Sequence, residues 1–166
     1  ASGLAIGQEA FIASFAPEFA ALPKLTIAAF NGSAAGIGVT MSLLCDLRLA
    51  VPGAKLRLNF GELGIMPGLG STARLTALIG PSAAKKLLLC DQLVHSEDAL
   101  AMGLVDEIVE PSRLTARALQ LGAAAARCRG ETLRHIKHCI NAASPGIVAE
   151  ALAREAEAAA LLRKGA

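Results

Sequence analysis

Residues 31–46, NGSAAGIGVTMSLLCD, hold the spacing in this chain that most directly implies chemistry. They follow an apolar β-type run, LTIAAF, and they open a helix expected over about 36–45. A strand, a turn of small residues and a helix N-terminus, in that order, can hold a developing negative charge. Small residues let the backbone approach a ligand closely, and the first N–H groups of a helix have no intrahelical partner. The helix dipole adds its pull on an anion. The pattern predicts an oxyanion hole.

Other chemistry-bearing residues are weighed against plainer roles. Glu62 sits in a glycine-rich loop, GELGIMPGLG, two residues after Phe60. Alternation with Phe60 would aim it at the same cavity, and catalytic groups favour such loops. Its plainer reading is a solvated loop carboxylate. Asp46 reads as a helix-end or turn residue. His135 and His138, one helical turn apart, share a face with Arg134 and Lys137 and read as surface imidazoles. His95 precedes a helix start and reads as exposed, and Arg163 and Lys164 as solvated terminal bases. Cys45, Cys90, Cys128 and Cys139 are scattered without a C-x-x-C pair, so zinc-ligand spacing is absent. They are expected to be buried, reduced thiols of a cytoplasmic protein.

Elements to position these residues follow from periodicity and punctuation. Residues 8–22 read as an amphipathic helix with Phe11, Phe15, Phe19 and Leu22 on one face; Pro17 interrupts it or starts a second segment, and Pro23 ends it. Short strands are expected at 25–30, 47–51, 55–60 and 104–109. Ser71 or Thr72 should cap a helix that Gly80-Pro81-Ser82 breaks and restarts. Ser96 should cap the next, which Gly103 stops. Helices are expected over about 112–128, 131–142 and 146–164. The layout is α/β with a helical C-terminal section.

Three collinear blocks resemble the crotonase superfamily, the enoyl-CoA hydratase/isomerase family. They are PKLTIAAFNGSAAGIGVTMSLLCDLRLA, LGIMPGLGSTARLTALIGPSAAKKLLL and HSEDALAMGLVDEIVEPSRL, together covering roughly residues 23–115. The resemblance implies a ββα spiral core, partial over residues 1–110, followed by a helical trimerisation section at 111–166. It also implies that the domain begins well before residue 1, and that ASGLAIG is at best a remnant of the loop supplying the first oxyanion donor. The second donor maps onto the backbone N–H of Ile37, within Gly36-Ile37-Gly38. Its purpose would be to stabilise the enolate formed beside a thioester carbonyl. Ser33, Ala35, Gly36, Thr40, Phe60, Pro67 and Gly68 map onto substrate-binding positions.

The departures from the family pattern bear on mechanism. The two glutamates that hold and activate water in hydratases fall on Thr40 and Phe60. An acid used by several isomerases falls on Gly68. None of the three is acidic, so hydration by the usual two-carboxylate route is not expected. Glu62 is the candidate replacement. An enzyme of the enoyl-CoA hydratase/isomerase type acting on an acyl-CoA or acyl-carrier thioester is the leading reading. The alternatives are a decarboxylase of polyketide type and a catalytically silent thioester-binding or assembly subunit.

Composition limits the other classes. The chain has 166 residues, 54% hydrophobic and 18% charged, which excludes disorder. The net charge of +2 comes without any basic run or aromatic-basic interleaving, so no nucleic-acid partner is implied. No stretch is long and apolar enough to span a bilayer. No metal and no separate cofactor are expected, coenzyme A being part of the substrate. Self-association as a trimer or hexamer is implied by the resemblance, and by Val148, Leu152 and Leu162 set among alanines in the last helix.

Overall fold

The computed structural model describes residues 9–142 and 145–164. Helix α1 (Glu9–Ala20) leads into β1 (Ile27–Phe30), β2 (Ala34–Ala35) and α2 (Ile37–Ser42). Then come β3 (Leu47–Ala50), β4 (Lys55–Arg57), α3 (Ser71–Leu89), β5 (Val94–His95), α4 (Ser96–Ala101) and β6 (Glu107–Ile108). A 3-10 turn at Pro111–Arg113 precedes α5 (Leu114–Ala126), α6 (Gly130–Ala142) and α7 (Pro145–Lys164).

The strands form two three-stranded sheets, ordered β1-β3-β6 and β2-β4-β5. In the first sheet β1 runs parallel to β3, from Ile27 opposite Leu47 to Phe30 opposite Ala50, and β3 runs parallel to β6. In the second, β2 is parallel to β4, with Ala35 opposite Arg57, and β4 is antiparallel to β5. Parallel neighbours need crossover connections, which α2 and the longer segments provide. The main core gathers Val39, Leu56, Leu58, Phe60, Leu75, Leu87 and Leu104. A second cluster places Leu114, Ala118 and Leu121 of α5 against Ile27, Leu49, Val51 and Val109.

Arg48 is a buried charge in β3. Its Nη2 donates to Asp106 Oδ2 at 2.9 Å, Nε to the Leu104 carbonyl at 2.9 Å and Nη1 to that of Cys45 at 3.0 Å. A buried cation is tolerated when it is paired and its other donors are used. This one ties β3 to the segment entering β6.

Several expected boundaries move, each for a local reason. Pro17 lies inside α1 rather than breaking it, and its carbonyl still accepts from Ala21 N–H at 3.0 Å. Helix α2 stops at Ser42 because Leu43, Leu44 and Cys45 donate three residues back, to Thr40, Met41 and Ser42. The strand expected at 55–60 stops at Arg57, since β5 pairs only with Lys55 and Leu56. The strand expected at 104–109 shrinks to Glu107–Ile108, because Leu104 and Val105 N–H both turn back to the Ala99 carbonyl around Gly103, φ 84°. Ser96 is the first helical residue of α4, its N–H held by the Ala54 carbonyl at 2.8 Å, so His95 takes the cap position. Gly80, with φ 77° and ψ 161°, does break α3 as expected.

The expectation of buried thiols is corrected. Cys90, Cys128 and Cys139 are exposed and Cys45 is half-buried. Cys90 ends α3, Cys128 follows α5 and Cys139 lies on α6, at positions that the described residues leave exposed. Burial pushes the Cys45 thiol up, against the pull of Arg48.

Candidate functional site

The site begins where β2 runs into α2. Gly36 holds φ 53° and ψ −118°, a backbone setting that a side chain disfavours. Its N–H donates to the Arg57 carbonyl at 2.9 Å and so extends the β2–β4 pairing by one residue. Its carbonyl accepts from Val39 and Thr40, both at 3.1 Å, and these are the first donors used inside the helix. Ile37 and Gly38 precede them. No acceptor among the described residues meets either N–H. The Ile37 side chain is 52% exposed, so this turn lies at the surface.

Ala35 is exposed on β2. Ser33 is exposed and already engaged, its Oγ accepting from Lys55 N–H at 3.0 Å. A cleft of about 230 Å³ opens beside the turn, lined by Phe19, Ala28, Phe30, Gly38, Met41 and Cys45 among others. Gly38 reaches it; residues 33–37 are not in its lining.

The two positions that carry no acid are filled from within. Thr40 is fully buried and its hydroxyl, a poor base in any setting, donates back to the Ile37 carbonyl at 3.4 Å. Phe60 belongs to the main core, and its ring edge lies 3.9 Å from where a side chain on Gly36 would begin. Structure therefore brings Gly36, Ile37, Thr40 and Phe60 together, with a hydroxyl and an aromatic ring at the two positions that carry no acid.

Glu62 does not share a face with Phe60, and the alternation argument fails. Residues 59–64 form a tight turn, in which Leu63 N–H bonds to Asn59 and Gly64 N–H to Gly61, both at 3.2 Å. Phe60 turns inward and Glu62 outward. Arg57 Nη2 donates to Glu62 Oε2 at 2.8 Å, and the same guanidinium is gripped by the Asp91 carboxylate, whose hydrogen bond lifts the Arg57 pKa further. Glu62 is thus tethered to the residue whose carbonyl holds Gly36. Neither Arg57 nor Asp91 was marked as part of the site from sequence.

Pro67 is buried and Gly68 half-buried in the strap leading to α3. Leu69 and Gly70 follow in the left-handed region, at φ 67° and 66°. No side chain within the segment caps α3, contrary to the expectation for Ser71 or Thr72. The cap is Glu155 of α7. Its carboxylate accepts from Gly70 N–H at 2.9 Å, Thr72 N–H at 2.9 Å and the Thr72 hydroxyl at 2.6 Å. Burial raises the Glu155 pKa, and the hydrogen bonds from Thr72 and Gly70 and the charge of Arg74 act against that. Burial likewise lowers that of Arg74, offset by Glu155. No local signal could have found Glu155: a capping box looks three residues ahead, and this partner lies 83 residues beyond Thr72.

The remaining candidates are structural or peripheral. Asp46 Oδ2 accepts from Thr26 N–H at 2.7 Å, the Thr26 hydroxyl at 2.9 Å and Lys137 Nζ at 2.7 Å, pinning α6 to the start of β1. His95, His135 and His138 are exposed, as expected. The side chains of Phe11, Val148, Leu162, Arg163 and Lys164 lie outside the described residues. Among the described residues no group of three or more His, Cys, Asp or Glu is placed to hold a metal ion, and no helix is long and apolar enough to cross a membrane.

A sequence model of the family described as enoyl-CoA hydratase/isomerase matches residues 12–162. The chain belongs to that family. Its relatives include the short-chain-enoyl-CoA hydratase of Clostridium acetobutylicum, 36% identical over 137 residues, covering 82% of this chain and 52% of that protein. The crotonyl-CoA hydratase of Syntrophomonas wolfei is 42% identical over 94 residues, 57% of this chain and 36% of that protein. Among solved structures, an enoyl-CoA hydratase from Mycobacterium avium subsp. paratuberculosis superposes with a TM-score of 0.86 at 31% identity, over 92% of this chain and 64% of that one. The enzyme from Bacillus halodurans gives 0.85 at 32% identity, over 93% and 62%. The fold is therefore the crotonase fold with a helical C-terminal section, and the chain spans about half the length of the curated relatives it matches.

Proposed function

We propose that this crotonase-family chain acts on acyl-CoA or acyl-carrier thioesters and stabilises the thioester enolate through the Ile37 backbone N–H. The observation that carries this reading is the unpartnered Ile37 N–H at a glycine turn, at the position where the family pattern has a donor. A preorganised N–H costs no reorganisation when charge develops, and it acts whatever side chain it carries. The reaction class is isomerisation, decarboxylation or related enolate chemistry rather than two-carboxylate hydration. Glu62, though turned outward, is tethered to Arg57, whose carbonyl holds the Gly36 N–H, and is the acid we assign to proton transfer.

A second reading is a thioester-binding or assembly subunit without turnover. The interior role of Thr40 and the core position of Phe60 favour it, since neither side chain can transfer a proton. Self-association as a trimer or hexamer is proposed for either reading. Leu119, Ile136, Ile140 and Leu161 are exposed on the C-terminal helices, Ile136 and Ile140 one turn apart on α6. A cytoplasmic location goes with both readings.

The test is a panel of acyl-CoA thioesters, malonyl-type included, with products read by mass spectrometry for the chain and for Ile37→Pro. Turnover lost in Ile37→Pro supports the enzyme. Binding without turnover in the parent chain supports the silent subunit. Turnover untouched by Ile37→Pro overturns the oxyanion role. Light scattering that gives a monomer at micromolar concentration would count against the assembly.

A further inference from the structure

The strap at 67–70 carries two candidate binding residues, Pro67 and Gly68, and it is held from both ends of the chain. Leu69 has φ 67°, a conformation that strains a leucine and persists only where surroundings impose it. One constraint is apolar: the Leu69 side chain is buried with Ala16 of α1 and Leu44. The other is polar and comes from α7. The Glu155 carboxylate spans the backbone on both sides of Ser71, one oxygen on Gly70 N–H and the other on Thr72 N–H and its hydroxyl. Glu155 is 5% exposed, and Ala151, one turn earlier on α7, is 2% exposed. The contact is therefore shut off from water, where an unmade hydrogen bond is expensive. Next to it, Ser71 Oγ and Arg74 Nε are buried with no hydrogen-bond partner among the described residues.

We propose that Glu155 is a positioning residue: it latches α7 to the strap, and the docking of α7 sets the affinity of the thioester site. The role in affinity rests on the reading of Pro67 and Gly68 as substrate-binding; the latch itself does not. Glu155 touches no substrate in this scheme. It acts through the Gly70 and Thr72 amides, which fix the backbone path that Pro67 and Gly68 follow.

The experiment pairs two readouts on the 166-residue chain and on Glu155→Ala, Glu155→Gln and Thr72→Val. Hydrogen–deuterium exchange follows residues 67–73, with α2 and β3 as internal references. Calorimetric titration with crotonyl-CoA gives affinity. In Glu155→Ala the Gly70 and Thr72 amides should exchange at least ~10-fold faster while α2 and β3 stay unchanged, and crotonyl-CoA should bind about 10-fold more weakly, the factor of one lost hydrogen bond to a buried group. Glu155→Gln, which keeps an acceptor oxygen, should recover part of both. Thr72→Val removes only the hydroxyl and serves if Glu155→Ala fails to fold; it should show the same two changes at smaller size. Unchanged exchange at Gly70 and Thr72 would overturn the latch. Faster exchange with unchanged affinity would reduce Glu155 to a structural cap and overturn the positioning role. A parent chain that binds no acyl-CoA would overturn the thioester reading and the positioning role together, with exchange still deciding the latch.

Discussion

Two helices of this molecule begin alike and end up differently used. Both α2 and α3 follow a glycine with positive φ, Gly36 at 53° and Gly70 at 66°, and neither has a side-chain cap from its own segment. At α3 the exposed amides are filled by the molecule itself, with Glu155 oxygens 2.9 Å from Gly70 and Thr72 N–H. At α2 the Ile37 N–H, at an exposed residue, meets no acceptor among the described residues. Helix N-termini bind carboxyl-like oxygens from any source that fits. The closed end of α3 shows the geometry such oxygens adopt in this fold. The open end of α2 is where we place the oxygen of a thioester. The contrast separates a fold element from a site: the same backbone device is spent on stability in one place and left available in the other.

The largest effect should come from the chemistry around the open end. Crotonyl-CoA hydration should run about a hundred- to ten-thousand-fold below that of a relative with both glutamates, the usual contribution of one general acid or base. Loss of the enoyl absorbance with time measures it. A rate equal to that relative's would mean another group supplies the proton, and Glu62→Gln is then the first substitution to make.

Closing the open end chemically should cost somewhat less. Ile37→Pro removes the N–H at the first helical position, where proline is well accommodated. Turnover of the best thioester should fall about a hundred- to thousand-fold, as when an oxyanion donor is deleted. Circular dichroism and the melting temperature should barely move. A large loss of stability would mean that this N–H has a structural partner after all.

Opening the closed end should register in stability. Glu155→Ala strips the acceptor from two amides and a hydroxyl and should destabilise by about 3 kcal/mol, read from urea unfolding. A value under about 0.5 kcal/mol would place this cap with ordinary surface substitutions.

The smallest effect is in pH dependence, where two carboxylates should oppose each other. The folded Glu155 pKa is raised, chiefly by burial, so its contribution is greatest below the ordinary glutamate value and is lost as pH rises through the folded value. Arg74 is the charged group facing it. Exposed Glu97 has its pKa lowered, first by the Gly53 N–H at 2.8 Å, so its contribution is present above the ordinary value and lost as pH falls. Glu155→Gln should flatten the loss of stability on the rising side, and Glu97→Gln the loss on the acid side. Identical pH profiles for both variants would show that neither contact is coupled to folding.

What could be read from sequence was local. The turn at 31–36, strands β1 and β3, the break at Gly80 and the stop at Gly103 are each written in a few adjacent residues with a fixed backbone demand. Two-residue strands such as Ala34–Ala35 and Val94–His95 have no periodicity to read, and only their partners define them. Phe60 and Glu62 looked like one strand face because alternation continues past Arg57, whereas the pairing does not. The open backbone end of the candidate site was legible, since it depends on glycine and helix position alone. Its supports, Arg57, Asp91 and Glu155, were not. Each acts through a partner in a distant segment, Asp91 reaching back 34 residues and Glu155 more than 80.

That distance has a consequence for the order in which the chain is made. Thr72 leaves the ribosome long before Glu155, which follows 83 residues later. At ordinary elongation speeds of about 5–20 residues per second, several seconds separate the two. Once Ile108 has been added, β1 to β6 are all synthesised and can pair, while Leu69 and Gly70 still have no carboxylate to hold them. A nascent chain halted before α7 therefore contains the paired sheets but a slack strap. Arrested at that stage, it should be cut by protease at 67–70 and become resistant once the last helix emerges.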